Sequence, residues 1–352
     1  MRCKFSYILN ISMVERRIHF VCSGNTFRSR LAEAYAKSLK LSGYTFSSSG
    51  VNSTVEADTL LSPYARDLAR KHRLTAWLSK HKTQTSTEIL GRQDIIIFMD
   101  KDVYDDVQRS VKFDARKSTV WNVHDLKWYF VHHKIRRSDT VKINEIVDVI
   151  LQQITSKVRA LISDVEVTSW SDMYDEHNKP LGYSLPVSWA TQRKSLWRRS
   201  VHAVVTTADK KYVVEKRSAN IVFSPSMLDI SLGGGVDSGE PPRRAVLREL
   251  KEELGVLARP ERLTLLDVHK WSSYHPHYKK YTHSFLYDYH VALSIDDPIF
   301  ILQPSEVREV RLLSGRQVLR LLRRHSLKHF GRLNYGYKYY ADVVKRAKIY
   351  TR

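Results

Sequence analysis

The stretch "GGVDSGEPPRRAVLRELKEELGV", Gly234 to Val256, opens with glycines and continues as an amphipathic helix. Pro241 and Pro242 suit a helix's first turn, where a missing N–H costs nothing. Gly255 suits the position just past the last turn. Val246, Leu250 and Leu254 form an apolar stripe that packs the helix down. Glu249, Glu252 and Glu253 stand at i, i+3 and i+4, so they share one face. Three clustered carboxylates repel one another unless a hard divalent cation neutralises them. Mg2+ or Mn2+ accepts such oxygen ligands and bridges them to a diphosphate. The bland alternative is a solvated, charged helix with accidental spacing.

The same stretch resembles the Nudix box, G-x5-E-x7-R-E-U-x-E-E-x-G-U with U aliphatic. Gly234, Glu240, Arg248, Glu249, Leu250, Glu252, Glu253, Gly255 and Val256 fill its fixed positions. The resemblance implies an α/β/α fold with a mixed sheet, and Mg2+- or Mn2+-dependent hydrolysis of a nucleoside diphosphate linked to X. Glu249, Glu252 and Glu253 would hold the metal, and Glu253 would also be catalytic. Gly234, Glu240, Arg248 and Gly255 would support them, with Arg248 orienting a carboxylate from outside the metal shell. The flanks "YDEHNKPLG" and "EKRSANIVFSPSMLDISLGGG" resemble the branch that includes isopentenyl diphosphate isomerase. That isomerase needs a cysteine in this domain, and none follows Cys22. Hydrolysis remains. Glu306 would be an extra ligand or base, or an ordinary exposed glutamate.

Upstream, residues 201 to 206 and 212 to 216 read as β-rich runs joined by "ADKK", a hairpin. Before them, "SDVEVTSWSDMYDEHNKPLGYSLP" carries Gly, Pro and Asn punctuation and reads as a linker entering a new domain. Downstream, His269, His275, His277 and His283 fall in what reads as a loop, either contacting substrate or merely solvated, without the regular spacing of a zinc site.

The other chemically pointed stretch is "VCSGNTFRSR", Val21 to Arg30. Ile18 to Val21 read as a short buried strand. "RSRLAEAYAKSLKLSG" reads as a helix from Arg28, ending at Gly43. Cys22 therefore sits at a strand end, and its loop feeds a helix N-terminus. Such a loop points backbone N–H groups into one hollow that suits phosphate, and the same field favours a thiolate. Arg28 would grip phosphate oxygens and Ser29 would donate to the thiolate.

"VCSGNTFRSRLAEA" resembles the low-molecular-weight protein tyrosine phosphatase family, over about Arg17 to Ile162. The resemblance implies a parallel-sheet fold and phosphomonoester hydrolysis through a phosphocysteine on Cys22. Ser23, Gly24, Asn25, Thr26, Phe27, Arg28 and Ser29 would bind the phosphate. "VWNVHDLKW" resembles the loop carrying the general acid, which would be Asp125. Thr26 after the Gly-Asn pair resembles the protein arginine phosphatases, so the substrate class is protein phosphotyrosine or phosphoarginine. Several positions depart from the family. Phe27 stands where a second cysteine is usual, Arg30 replaces a proline, and Leu126 replaces the proline after the acid. A buried structural thiol, or a pocket that binds phosphate and turns over slowly, are the alternatives.

The chain has 352 residues, a formal charge of +21 and two cysteines, Cys3 and Cys22. This implies two or three domains, anionic partners, no disulfide framework and a reducing cytoplasm. No run reaches the length of a membrane span. Residues 1–16 read as an unstructured extension, with Met13 a more natural start. The expected organisation is two α/β enzymes: a phosphatase-like domain over 17–162 and a Nudix domain over 163–352. From Arg311 onward, twelve Lys or Arg face one acidic residue, Asp342, with Tyr335, Tyr337, Tyr339 and Tyr340 interleaved. That segment reads either as a basic helix covering the Nudix fold or as a nucleic-acid surface acting on RNA 5′ ends.

Overall fold

The computed structural model describes residues 15–52, 61–221, 225–295, 298–325 and 336–349. The expected extension at 1–16 therefore lies almost wholly outside the described residues. The chain divides into two compact units with the boundary between Ser169 and Trp170.

The first unit alternates strands and helices. Its strands are β1 (Arg16–Cys22), β2 (Tyr44–Gly50), β3 (Ile95–Phe98) and β4 (Ser118–Val120). Its helices are α1 (Arg28–Ser38), α2 (Pro63–Lys71), α3 (Thr87–Gly91), α4 (Lys101–Ser110), α5 (Leu126–His132) and α6 (Thr140–Val167). All strand pairs are parallel, in the order β2-β1-β3-β4. Helices cover a parallel sheet because each crossover must return the chain to the same end. β3 is a continuous buried run of Ile95, Ile96, Ile97 and Phe98, as a strand covered on both faces should be. Phe98, Ile96 and Val21 pack with Val103 and Val107 of α4.

Three expectations need correction here. α1 ends at Ser38 rather than Gly43, because Lys40 and Gly43 both turn into the left-handed region, at φ 53° and 78°. The stretch from Ser163 is no linker. α6 runs on to Val167, burying Leu161, Ile162 and Val165, and an antiparallel hairpin follows. The polar punctuation there is that hairpin's turn: Asp175 Oδ1 accepts from the backbone N–H groups of His177 and Lys179 at 2.8 and 2.9 Å.

The second unit begins with that hairpin, β5 (Trp170–Tyr174) and β6 (Pro180–Pro186), then the short α7 (Val187–Ala190). Next come β7 (Arg198–Thr206), β8 (Tyr212–Arg217), β9 (Leu228–Ile230), β10 (Leu232–Gly235) and α8 (Pro242–Leu254). β11 (Leu263–His275), β12 (Lys280–Ala292), β13 (Val307–Leu313), α9 (Gly315–His325) and α10 (Gly336–Ile349) complete it. The sheet runs β11-β12-β7-β8-β13, with β10 on β7 and β9 on β8. Only β12 and β7 are parallel, so the sheet is mixed. One face packs Val201, Ala203 and Val205 against Val246, Leu250 and Leu254 of α8. The other packs Val204, Tyr212 and Val214 against Val318 and Leu322 of α9 and Val343 and Val344 of α10.

The third correction concerns the histidines: "HKWSSYHPHYKKYTH" forms the turn end of a long β11–β12 hairpin that turns at Lys279, φ 50°. Where it is described, the basic segment forms α9 and α10 packed on the sheet, as the covering-helix alternative expects. Tyr340 is buried, its hydroxyl donating to Asp229 Oδ1 at 2.9 Å, while Tyr339 donates to Asp288 Oδ1 at 2.5 Å. These two rings are packing groups and give the nucleic-acid reading no support. Tyr335 and the Tyr337 side chain lie outside the described residues. Among the described residues no helix is long and apolar enough to cross a membrane.

β1 also holds a buried imidazole. His19 hydrogen-bonds through Nδ1 to Ser47 Oγ and through Nε2 to Ser49 Oγ, both at 2.7 Å. Burial lowers its pKa from 6.5 to about 3. The unfolded chain thus takes up the proton first as pH falls. This stabilisation is complete above pH ~6.5 and is lost progressively toward pH ~3, by about 1.4 kcal/mol per pH unit. In calorimetry of the full chain between pH 7 and 4, His19→Asn should show a shallower loss of Tm for the first unit than wild type. An equal slope would remove His19 from the acid sensitivity.

Candidate active sites

In the first unit, Cys22 ends β1 at the carboxyl edge of a parallel sheet, where open α/β folds bind ligands. The thiol is buried, its Sγ 3.0 Å from Ser29 Oγ and accepting from Asn25 N at 3.3 Å. Asn25 is left-handed, φ 51°, which folds the loop back over the sulfur. Its side chain then ties three segments together. Nδ2 donates to Ser29 Oγ (3.0 Å) and Ser48 Oγ (2.9 Å), and Oδ1 accepts from Thr83 N (2.9 Å). Gly50 at the end of β2 is the floor: a β-carbon there would stand 2.5 Å from Asn25 N and 2.8 Å from Ser23 O. Phe27 is buried at the head of α1, while Ser23, Gly24 and Thr26 form the half-buried lip.

Arg28 is buried and fully engaged. Nη1 donates to Asp100 Oδ2 at 2.5 Å and to the Val123 carbonyl at 2.7 Å. Nη2 reaches Asp125 Oδ2 at 3.2 Å and Ser23 Oγ at 3.4 Å. The guanidinium thus brackets the space between the cysteine loop and Asp125. Asp125 is also the N-cap of α5, its Oδ1 accepting from Trp128 N at 3.2 Å. Arg30, in the position of the family's proline, is buried with Nη2 on the Ser79 carbonyl. Burial pushes its pKa down, against the pull of Glu33 and Cys22. Sequence reasoning missed Asp100, Gly50 and the Val123 carbonyl. Their signal was positional, since Gly50 and Asp100 fall at the carboxyl ends of β2 and β3.

In the second unit, α8 carries the box glutamates as the spacing requires, with Pro242 at its first position and Gly255 left-handed at φ 69°. The three carboxylates have different surroundings. Arg248 takes Glu249 Oε1 at 2.8 Å and Glu252 Oε2 at 3.3 Å, together with Glu240 Oε2 at 3.1 Å and the Gly235 carbonyl at 2.8 Å. These carboxylates hold the guanidinium pKa above its ordinary value despite partial burial. Glu249 folds over Gly234, where a β-carbon would fall 1.9 Å from its Oε1. Burial pushes the Glu249 carboxyl up to about 7, outweighing Arg248.

Glu253 turns inward and is buried against the sheet, its Oε2 with no hydrogen-bond partner. Burial, then the neighbouring Glu215 and Glu249, raise it well above the usual carboxylate range. Glu215 of β8 is likewise buried with an unpartnered Oε2, and raised by burial and by Asp229. Glu306, half-buried, acts on both. Among the described residues, no three His, Cys, Asp or Glu side chains converge at metal-ligand spacing. The donors present are all carboxylate oxygens, and the unpartnered atoms of Glu253 and Glu215 suit a hard cation. Sequence reasoning missed Glu215; its trace is a charged residue directly after the apolar run Tyr212 to Val214.

Comparison with known proteins agrees with both folds. Residues 17–167 match the low molecular weight phosphotyrosine protein phosphatase family, and residues 196–332 match the NUDIX domain. A Nudix hydrolase of Rhodococcus erythropolis is 31% identical over 142 residues, 39% of this chain and 72% of that protein. One of Yersinia pestis is 35% identical over 94 residues, 27% of this chain and 50% of its own length. The chain spans about half the length of the first curated relatives it matches. The tyrosine phosphatase Wzb from Escherichia coli K30, solved with sulphate, is 18% identical, with a TM-score of 0.35 over 43% of this chain and 99% of that one. The fold is thus a low-molecular-weight phosphatase unit joined to a Nudix unit. The chain belongs to the Nudix hydrolases and carries that phosphatase domain ahead of its Nudix domain.

Gly50→Ala should disrupt the phosphate loop, because the new β-carbon meets backbone that has nowhere to move. Inorganic phosphate or vanadate binding, followed by titration, should weaken at least tenfold with the fold retained by circular dichroism. Binding equal to wild type would show that the loop tolerates the displacement.

Proposed function

We propose that the chain is a bifunctional hydrolase. The first unit hydrolyses a phosphomonoester, of protein phosphotyrosine or phosphoarginine, and the second hydrolyses a nucleoside diphosphate linked to X. One observation carries the first half: Arg28 links the Cys22 loop, through Ser23, to Asp125. Nucleophile, anion grip and acid thereby share one space. The Cys22 thiolate, with the Ser29 hydroxyl beside it, attacks phosphorus while the bond to the leaving oxygen or nitrogen breaks. Asp125 gives that leaving atom its proton. Water then attacks the phosphocysteine, Asp125 takes a water proton, and phosphate leaves with the thiolate restored. Backbone N–H groups from Ser23 to Ser29 hold the transferring oxygens with Arg28. Asp100 and the Val123 carbonyl keep Nη1 fixed, so Nη2 is the group that turns from Asp125 to the ester.

The unpartnered carboxylate oxygen of Glu253 carries the second half. Glu249, Glu252 and Glu253 are the residues that would hold Mg2+ or Mn2+, and Arg248 fixes Glu249 from the side. A divalent cation, when bound, neutralises the diphosphate and activates water. Glu253 is the best shielded of these three carboxylates, and we assign it the proton-accepting role. A second reading, in which the first unit binds phosphate and turns over slowly, is favoured by the Arg28–Asp125 pair, since that contact draws the carboxylate onto the guanidinium rather than toward a leaving atom.

Cys22→Ser should abolish hydrolysis of an aryl phosphate by the full chain and leave diphosphate hydrolysis intact. Asp125→Asn should lower kcat by roughly 100-fold or more. No aryl phosphate or phosphoarginine turnover by wild type between pH ~5 and 8 would leave the slow-binding reading. Thr26→Ile should reduce the preference for phosphoarginine over phosphotyrosine, and an unchanged ratio would remove the arginine-phosphatase assignment.

For the second unit, Glu253→Gln should cost roughly 100-fold in diphosphate hydrolysis without lowering Tm. Chelator should silence wild type, and Mg2+ or Mn2+ should restore it. A Glu253→Gln variant as fast as wild type would sink the assignment.

A further inference from the structure

β8 holds a carboxylate that the box does not account for. Val213 belongs to the core beneath α8, so Glu215, two residues on in the same strand, faces α8 as well. Glu215 is 1% exposed and Glu253 6%, and each leaves Oε2 without a hydrogen-bond partner. The two oxygens come from different elements, strand and helix, and so approach one space from two sides. The local charge is unbalanced. Arg217 Nη1 stands 3.7 Å from Glu215 Oε1 and 3.8 Å from Asp229 Oδ2, so one guanidinium is already shared by two carboxylates. Glu253 and the half-buried Glu306 add further negative charge. Buried charges of one sign persist only when paired.

We propose that Glu215 is a ligand for the divalent cation, pairing with Glu253 to form a two-carboxylate seat at the floor of the diphosphate site. Two carboxylates plus substrate phosphate oxygens are the ligand set Mg2+ usually takes from a protein, its remaining positions filled by water. Glu306 then stands at the rim, and Arg217, anchored on Asp229, fixes the Glu215 carboxylate through its other oxygen. The inference rests on the Nudix site assigned above and adds to it a residue outside the box.

The experiment titrates Mn2+ alone into the full chain and follows free Mn2+ by electron paramagnetic resonance. The metal-induced gain in Tm is measured in parallel. Glu215→Gln should weaken Mn2+ binding at least tenfold and abolish the Tm gain, while its metal-free Tm is no lower than wild type. Glu253→Gln should do the same. If Glu253→Gln loses Mn2+ and Glu215→Gln binds as wild type, the inference falls and the Nudix assignment stands, with Glu215 sharing a proton with Glu253 instead. If wild type binds no Mn2+, or neither variant is impaired, the assignment itself falls. Should Glu215→Gln fail to fold, Glu215→Asp keeps the charge and withdraws it by one methylene. An unchanged Mn2+ affinity and Tm gain in that variant would equally overturn the proposal.

Discussion

The two sites depend on a missing β-carbon at the end of a strand. At Gly50 the cysteine loop lies directly on the backbone of β2, and any side chain would meet Asn25 N and Ser23 O at contact distances that backbone cannot relieve. Only with that close approach can Asn25 reach Ser48 and Thr83, hold the loop shut over Sγ and leave Arg28 aimed past it. Gly234 has the same function in the second unit: its bare Cα lets Glu249 fold down to Arg248. In each case steric freedom at one position sets where charge can be placed.

That charge is then handled by burial and pairing. The excess of basic residues is partly consumed by pairing within the fold and at its surface: Arg28 between Asp100 and Asp125, Arg248 among Glu240, Glu249 and Glu252, and the part-exposed Arg346 between Asp267 and Asp342. A net positive chain is therefore no direct measure of an anion-binding surface. Tyr339 and Tyr340 of α10 make the same point, since their hydroxyls are committed to Asp288 and Asp229.

Features set by local spacing were legible in the sequence. The glutamate face of α8, its proline start and Gly255 stop, and the strand–loop–helix around Cys22 follow from backbone geometry over a few residues. Features made by distant pairing were not. Glu215 faces the helix of Glu253 across a sheet–helix packing, and Arg28 meets Asp100 and Asp125 from 72 and 97 residues away. The polar punctuation after α6 misled for a related reason. An Asx turn that closes a hairpin and a flexible linker use the same residue types, and only the pairing of β5 with β6 tells them apart.

The long reach of those Arg28 contacts has a consequence for synthesis. A ribosome makes Cys22, its loop and α1 early. The floor at Gly50 and the tie to Thr83 follow. The carboxylates that hold Arg28 come last, at residues 100 and 125. A nascent chain therefore carries the thiol well before it can clamp the guanidinium beside it. Closing such distant contacts is the slow, entropically costly part of folding. The pocket becomes complete only when the domain nearly is, so an intact cradle reports that the whole sheet has been laid down in register.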